Sequence, residues 1–243
     1  MLGNGFSCFQ TMTYEITPIA HIRTDFQSKF GIPRQSGLVN ETEGRIIFEP
    51  PYRVPEALRG LEEFSHIWLL WDFSEVRDAQ KSWSPTVRPP RLGGNTRMGV
   101  FATRSPFRPN NIGLSSVQLL RIALHTPEGP ILYVRGADLL DGTPIFDIKP
   151  YLPFTDAHPD ASGGFTDVTH VAMKPLEVIF PADVESILDA ERLVALRKIL
   201  EMDPRPHYQH DAERIYGIAF AGKNVRFKVS ANTLFVLDIE TVG

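Results

Sequence analysis

The sequence predicts a mainly β protein, an antiparallel β-barrel followed by a smaller α+β domain. Through residue 151 nearly every ordered signal is a short apolar or alternating run bounded by turn residues, and helical periodicity is scarce. No G-x-G-x-x-G follows a strand and no G-x-x-x-x-G-K-[ST] occurs, so a nucleotide-binding βαβ sheet is unsupported. Beyond Pro153 the texture changes: a polar stretch with paired glycines leads into an amphipathic helix and an alternating C-terminal run.

The elements follow in order. Residues 1–12 read as a flexible tail without the basic-then-apolar layout of a signal peptide. Residues 13–24, TYEITPIAHIRT, alternate as a strand, and FGIPRQSGL is a loop punctuated by Pro33 and Gly37. GRIIFEPPY is a short strand stopped by prolines, and EALRGLEEF can form a helical turn. SHIWLLWDF is apolar on both faces and reads as a buried strand, with Trp68 and Trp71 in the core and His66 fitting a satisfied core histidine. MGVFAT, LSSVQLLRIAL, ILYVRGADLL and PIFDIKPYL are further strands, separated by loops and turns such as SPFRPNNIG, TPEG and LDGTP. LEVIF is another strand. Residues 182–202 predict a helix whose apolar face carries Val184, Ile187, Leu188, Leu193, Leu196, Ile199 and Leu200, ended by Asp203-Pro204. RIYGIAFAGKNVRFKVSANTLFVLDIE then predicts a small antiparallel sheet turned at AGKN and SAN. The domains expected are the barrel, 13–155, and the α+β domain, 156–243.

Composition narrows the class. A chain of 243 residues can bury a core without disulfides or a structural metal. Its single cysteine, Cys8, excludes a disulfide framework and fits a reducing compartment. No apolar run reaches the length of a membrane span, so a soluble cytoplasmic protein is expected. His207-x-x-His210 has the wrong spacing for a helical zinc pair, and no metal is expected.

The net charge of −4 conceals an uneven distribution. From Ala79 to Pro127 there are 49 residues without an acid, while Lys81, Arg88, Arg91, Arg97, Arg104, Arg108 and Arg121 give +7. Fields act within about 8–10 Å in physiological salt, so such a segment can bind a polyanion on an acidic protein. The alternative is that acids from elsewhere in the fold pair with these arginines.

Two clusters carry chemistry. PPRLGGNTRMGVFATRSPFRPNNIGLS joins guanidinium forks, which suit phosphate or carboxylate, to the amides of Asn110 and Asn111. There Gly113 permits close approach of a ligand or another strand. In DLLDGTPIFDIKPY, Asp138, Asp141 and Asp147 accompany Lys149. Asp141-Gly142 is a turn signal; Asp138 ends a strand, where a carboxylate can attract a sulfonium, accept from an exocyclic amine or take a proton.

KFGIPRQSGL, GLEEFSHIWLLWDF, VRPPRLGGNTRMGVFATRSPFRPNNIGLS, DLLDGTPIFDIKPYLPF and EMDPRPHY, in this order, resemble the TsaA/TrmO family of tRNA methyltransferases across about residues 14–243. The resemblance implies a single-sheet, non-Rossmann β-barrel that uses S-adenosylmethionine and works as a homodimer. The implied reaction is N6-methylation of threonylcarbamoyladenosine beside the tRNA anticodon. Carried over by motif, cofactor contacts fall on Gln35, Ser36, Gly37, Ser74, Glu75, Arg104, Leu114, Arg135, Gly136, Ala137 and Asp138. Asp138 is also the candidate base, and Arg91, Arg97, Arg108 and Lys149 are candidate RNA contacts. Two positions depart from the family pattern: Ser74, where histidine is frequent, and Asn111, where proline is usual. Two other readings stay open: a non-catalytic barrel binding S-adenosylmethionine or RNA, and an enzyme methylating a small adenosine metabolite.

Overall fold

The structure is a computed structural model that describes residues 12–77, 83–92, 95–171, 174–183, 186–205, 211 and 213–241. The side chains of residues 77, 91 and 169–171 lie outside the description, as do Cys8, Lys81, Val184, His207 and His210.

In chain order the strands of the first domain are β1 (Ala20–Thr24), β2 (Glu43–Phe48), β3 (His66–Asp72), β4 (Thr86–Val87), β5 (Met98–Gly99), β6 (Ile112–Ala123), β7 (Ile131–Arg135) and β8 (Pro144–Pro150). Six of them close a barrel in the order β1-β2-β7-β6-β3-β8, and every pairing is antiparallel. β4 and β5 form a separate two-stranded ribbon in the loop between β3 and β6. Closure bends the strands, and the register shifts at Leu70/Trp71 and Leu119/Arg121 supply local kinks. β6 shows the alternation that fills the barrel: Gly113, Ser115, Val117 and Leu119 are buried, while Ile112, Leu114 and Gln118 are exposed. Ile22, Ile46, Ile67, Leu69, Leu132 and Ile145 are fully buried within. Each such side chain contributes about 1.5–3 kcal/mol relative to exposure.

The C-terminal part adds β9 (Glu177–Ile179), β10 (Tyr216–Phe220), β11 (Lys223–Ser230) and β12 (Thr233–Thr241), ordered β10-β11-β12-β9 with only the β12–β9 pair parallel. Short helices α1 (Ser74–Arg77), α2 (Pro153–Asp156) and α3 (Phe165–Val171) precede the longer α4 (Ala190–Glu201), which packs on this sheet through Leu196, Ile199 and Leu200. The hairpin turns fall at AGKN and SAN, where Ala221, Gly222 and Ala231 take positive φ. Phe26 and Val39, from the loop between β1 and β2, are buried in this second core, and Ala221 N donates to Asp25 O at 2.9 Å.

Several elements differ from the sequence expectation. The first strand starts at Ala20, after Pro18, which has no N–H to donate to a ladder. The helix expected from 182 starts at Ala190, because the Asp189 carboxylate caps it, accepting from Arg192 N at 2.9 Å. EALRGLEEF forms two 3₁₀ turns, Pro55–Leu58 and Leu61–Glu63, separated by Gly60 at φ 86°. MGVFAT pairs only at Met98–Gly99, then turns through Val100–Ala102. His66 is an exposed strand end bonded to Ser65 Oγ at 2.9 Å, not a core histidine. Trp68 is half-buried, and its indole N–H reaches Asp156 Oδ2 at 2.8 Å; only Trp71 is core.

Candidate functional site

One rim of the barrel gathers three segments distant in sequence. The Gln35–Gly37 loop docks on the segment after β7: Gly37 N donates to Gly136 O at 2.9 Å, and Gly136 N donates to Thr42 O at 3.1 Å. Gly136 sits at φ 73°, where a Cβ would lie 2.9 Å from Asn40 Oδ1 and 3.3 Å from Gly37 Cα. A glycine is therefore required for the two backbones to meet. The third segment arrives as Arg104, whose Nη1 donates to Gln35 Oε1 at 2.6 Å.

Asp138 is the centre of this assembly. Ser115 Oγ donates to its Oδ1 at 2.6 Å, and Trp71 Nε1 donates to Ser115 Oγ at 3.0 Å. Ser115 is 1% exposed, so its hydroxyl is held by these protein partners. The indole ring lies directly on Gly113, where an added Cβ would stand 2.2 Å from Trp71 Cε2. Burial pushes the Asp138 carboxyl above its ordinary value and outweighs the opposing pull of Ser115, the backbone N–H groups of Asp138 and Ser36, and the Arg104 charge. A desolvated carboxyl held this way suits contact with a cation or acceptance of a proton.

The remaining sequence-predicted residues sit on several different elements. Ala137 is buried among the barrel's apolar side chains. Leu114 is half-exposed on the face of β6 opposite Ser115. Ser74 and Glu75 begin α1, and Glu75 pairs with Lys29 at 2.7 Å. The Arg135 side chain pairs with Glu43 at 2.7 Å. Lys149 pairs with Asp147 at 2.9 Å on β8. Arg108 folds back on its own loop, donating to Thr103 O at 2.8 Å, and Asn111 Nδ2 closes that loop onto Pro106 O at 2.6 Å. Arg97 bonds Thr86 Oγ1 at 2.9 Å and lines a groove; Arg91 contributes only backbone to the description.

That groove, of about 1820 Å³, runs between the arginine-rich loop of the barrel and residues 163, 165–167 and 204–205 farther along the chain. Its lining includes Arg34, Gln35, Arg88, Arg97, Arg104 and Arg205, with Asp167 as the acid among the described lining residues. Arg34, Phe101, Phe107 and Arg205 are lining residues that the motif reading did not single out, although PRQSG and DPRP contain two of them. Among the described residues no group of three metal-ligating side chains forms, and no helix is long and apolar enough to cross a membrane.

Fold and site together define a barrel protein with a desolvated acid at its rim and an arginine-lined groove beside it. The model of the tRNA-methyltransferase O N-terminal domain matches residues 21–157, and that of the TrmO C-terminal domain matches residues 173–242. The tRNA (adenine(37)-N6)-methyltransferase of Escherichia coli K12 is 43% identical over 236 residues, covering 94% of this chain and 98% of that protein. The enzyme of the same description from Eikenella corrodens is 49% identical over 180 residues, 74% of this chain and 98% of its own. A crystal structure of TrmO from Pseudomonas aeruginosa superposes with a TM-score of 0.75 at 34% identity, covering 96% of this chain and 100% of that one. The chain belongs to the TrmO family of tRNA methyltransferases.

Proposed function

We propose that this chain methylates N6 of threonylcarbamoyladenosine in the anticodon loop of tRNA, taking the methyl group from S-adenosylmethionine. The observation that carries the reading is the pairing of the Asp138 rim with a cationic groove, in a chain similar along its length to tRNA (adenine(37)-N6)-methyltransferases. A likeness to a Pseudomonas aeruginosa protein described as a putative S-adenosylmethionine-dependent methyltransferase, 40% identical over 235 residues, supports the choice of cofactor. The residues present fit that cofactor. Arg104 offers a guanidinium to a carboxylate, and Asp138 a carboxylate to a sulfonium or amine. Gln35, Ser36, Gly37, Gly136 and Ala137 bring backbone close to the same rim, and the backbone of Arg135 precedes them. Leu114, Ser74 and Glu75 are assigned to the outer edge of this binding region.

S-adenosylmethionine, when bound, supplies an electrophilic methyl group. The protein's task is then placement: the rim and groove hold the acceptor nitrogen in line, and orientation of this kind can supply about 7–11 kcal/mol of barrier reduction. Asp138 takes the proton as N6 is alkylated; its raised pKa suits the role and Ser115 holds one oxygen. Arg91, Arg97, Arg108 and Lys149 are assigned to the tRNA backbone, with Arg108 and Lys149 exchanging their present partners for phosphate. A barrel at 13–155 and a second domain at 156–243 organise the chain, which acts as a cytoplasmic homodimer, and the tail expected at 1–12 falls almost wholly outside the described residues. Exposed Ile112 and Leu114, neighbours on the outer face of β6, are suited to a contact between copies.

The test is methyl transfer from labelled S-adenosylmethionine to two tRNA pools, one carrying threonylcarbamoyladenosine and one from cells unable to make it. Label confined to the modified pool is the expected result. Cofactor binding with label in neither pool would refute the assignment.

A further inference from the structure

The groove wall carries aromatic side chains that neither cofactor binding nor proton transfer requires. Phe101 lines the groove and is 72% exposed, although its ring stacks on Trp83 with centroids 6.2 Å apart and planes at 27°. Phe107 lines the same groove and is 47% exposed. A single exposed phenylalanine needs no explanation, but a stacked pair with most of one ring open is a preformed π surface. Its backbone is held in place. Val100 N donates to Pro85 O at 3.0 Å, and Thr103 closes the Val100–Ala102 turn onto Val100 O through its N–H at 3.1 Å and its hydroxyl at 2.8 Å.

The surroundings select the occupant. Arg88, Arg97 and Arg104 lie in the same stretch, which has no acid from Ala79 to Pro127. An apolar protein surface would leave those guanidiniums without complement, whereas single-stranded nucleic acid offers phosphates to the arginines and base faces to the ring. The groove's volume of about 1820 Å³ exceeds the roughly 300–1,000 Å³ of a small-molecule site, so it has space for nucleotides beyond a single cofactor.

We propose that Phe101, backed by Trp83, is a stacking platform for an unpaired base of the RNA loop, a neighbour of the nucleotide that is methylated. The assignment rests on tRNA being the substrate. The ring then contributes affinity that is indifferent to base identity and to salt, while the arginines contribute the salt-dependent part.

The experiment is tRNA binding by full-length wild type and by Phe101→Ala, Phe101→Leu and Phe101→Trp across a salt series, with methyl transfer measured on the same preparations. Phe101→Ala is expected to weaken binding between about fivefold and 150-fold, with the slope of log affinity against log salt unchanged. Phe101→Trp is expected to bind as well as wild type or better, and Phe101→Leu to remain weak because it is apolar without a π face. Thermal melts establish that the variants are folded, which the exposure of the ring favours. Unchanged binding by Phe101→Ala, or wild-type binding by Phe101→Leu, overturns the proposal. So does loss of binding that accompanies a change in sedimentation coefficient, since the ring would then lie between two copies. Wild type that methylates tRNA while Phe101→Ala is unaffected sinks the platform alone; wild type that labels no tRNA sinks the functional reading beneath it.

Discussion

Gly113→Ala isolates the packing on which the rim depends. The added Cβ would stand 2.2 Å from Trp71 Cε2 and 2.5 Å from Cδ2 and Cζ2. Carbon contacts settle near 3.5–4.0 Å, so the indole must retreat by about 1.3 Å or more. Trp71 is only 7% exposed and lies 4.2 Å from Phe73, centroid to centroid, so the ring has little free space. Overpacking of this kind costs about 1–3 kcal/mol. The retreat also withdraws Trp71 Nε1 from Ser115, stranding a buried donor at a further cost of about 1–3 kcal/mol. Together these amount to about 2–6 kcal/mol, or roughly 5–20 °C in Tm for a chain of this size. Gly99→Ala is the control, because a Cβ there meets nothing within 4 Å and φ is unexceptional. Thermal unfolding followed by circular dichroism reads the effect. The double variant Gly113→Ala/Trp71→Phe recovers part of the loss, since the smaller phenyl ring has no Cζ2 and no N–H to strand. A Gly113→Ala melt within about 2 °C of wild type, or no coupling in the double variant, would refute the reasoning.

Three further outcomes follow from the rim and groove. Gly136→Ala forces an L side chain to φ 73° with its Cβ 2.9 Å from Asn40 Oδ1, so about 1–3 kcal/mol of stability is lost; calorimetry should also find weaker S-adenosylmethionine binding, and wild-type affinity would detach this loop from the cofactor. The Asp138 carboxyl titrates near its ordinary 3.8 in the unfolded chain and higher when folded. The folded state therefore holds the extra proton between those values, and stability falls as pH rises through the folded pKa. Asp138→Asn lacks that dependence, so the wild-type-minus-variant difference in urea midpoint should decline as pH rises above about 4; a flat or rising difference contradicts the burial argument. Arg97→Ala should flatten the salt dependence of tRNA binding by about 1 in slope; an unchanged slope removes Arg97 from the phosphate path.

Much of this architecture is legible locally because strands and turns are short-range patterns. Alternation in β6 and β11, the Asp141-Gly142 turn with Gly142 at φ 80°, and the stop at Asp203-Pro204 all follow from neighbours a few residues apart. The acid-free run is likewise visible in the chain, and the structure converts it into one wall of a groove. Family motifs point to Gln35, Gly37, Arg104, Gly136 and Asp138, which the fold brings to one rim.

Tertiary structure alone decides which faces and partners those residues receive. Trp71 and Ser115 are 44 residues apart, and Arg104 and Gln35 are 69 apart, distances over which periodicity carries no information. Barrel closure sets the register that aims Ser115 at Asp138 and leaves His66 at an exposed strand end. Long-range packing also sends Phe26 and Val39 into the second core, commits Arg135 to Glu43, and stands Phe101 open on Trp83. Local pattern was enough for most strands, for the body of α4 and for the residue types near the site, but not for the starts of β1 and α4 or for the 3₁₀ turns. Contact between elements required the closed sheet, because a side chain's partner depends on strand order and register, which residues adjacent in sequence do not encode.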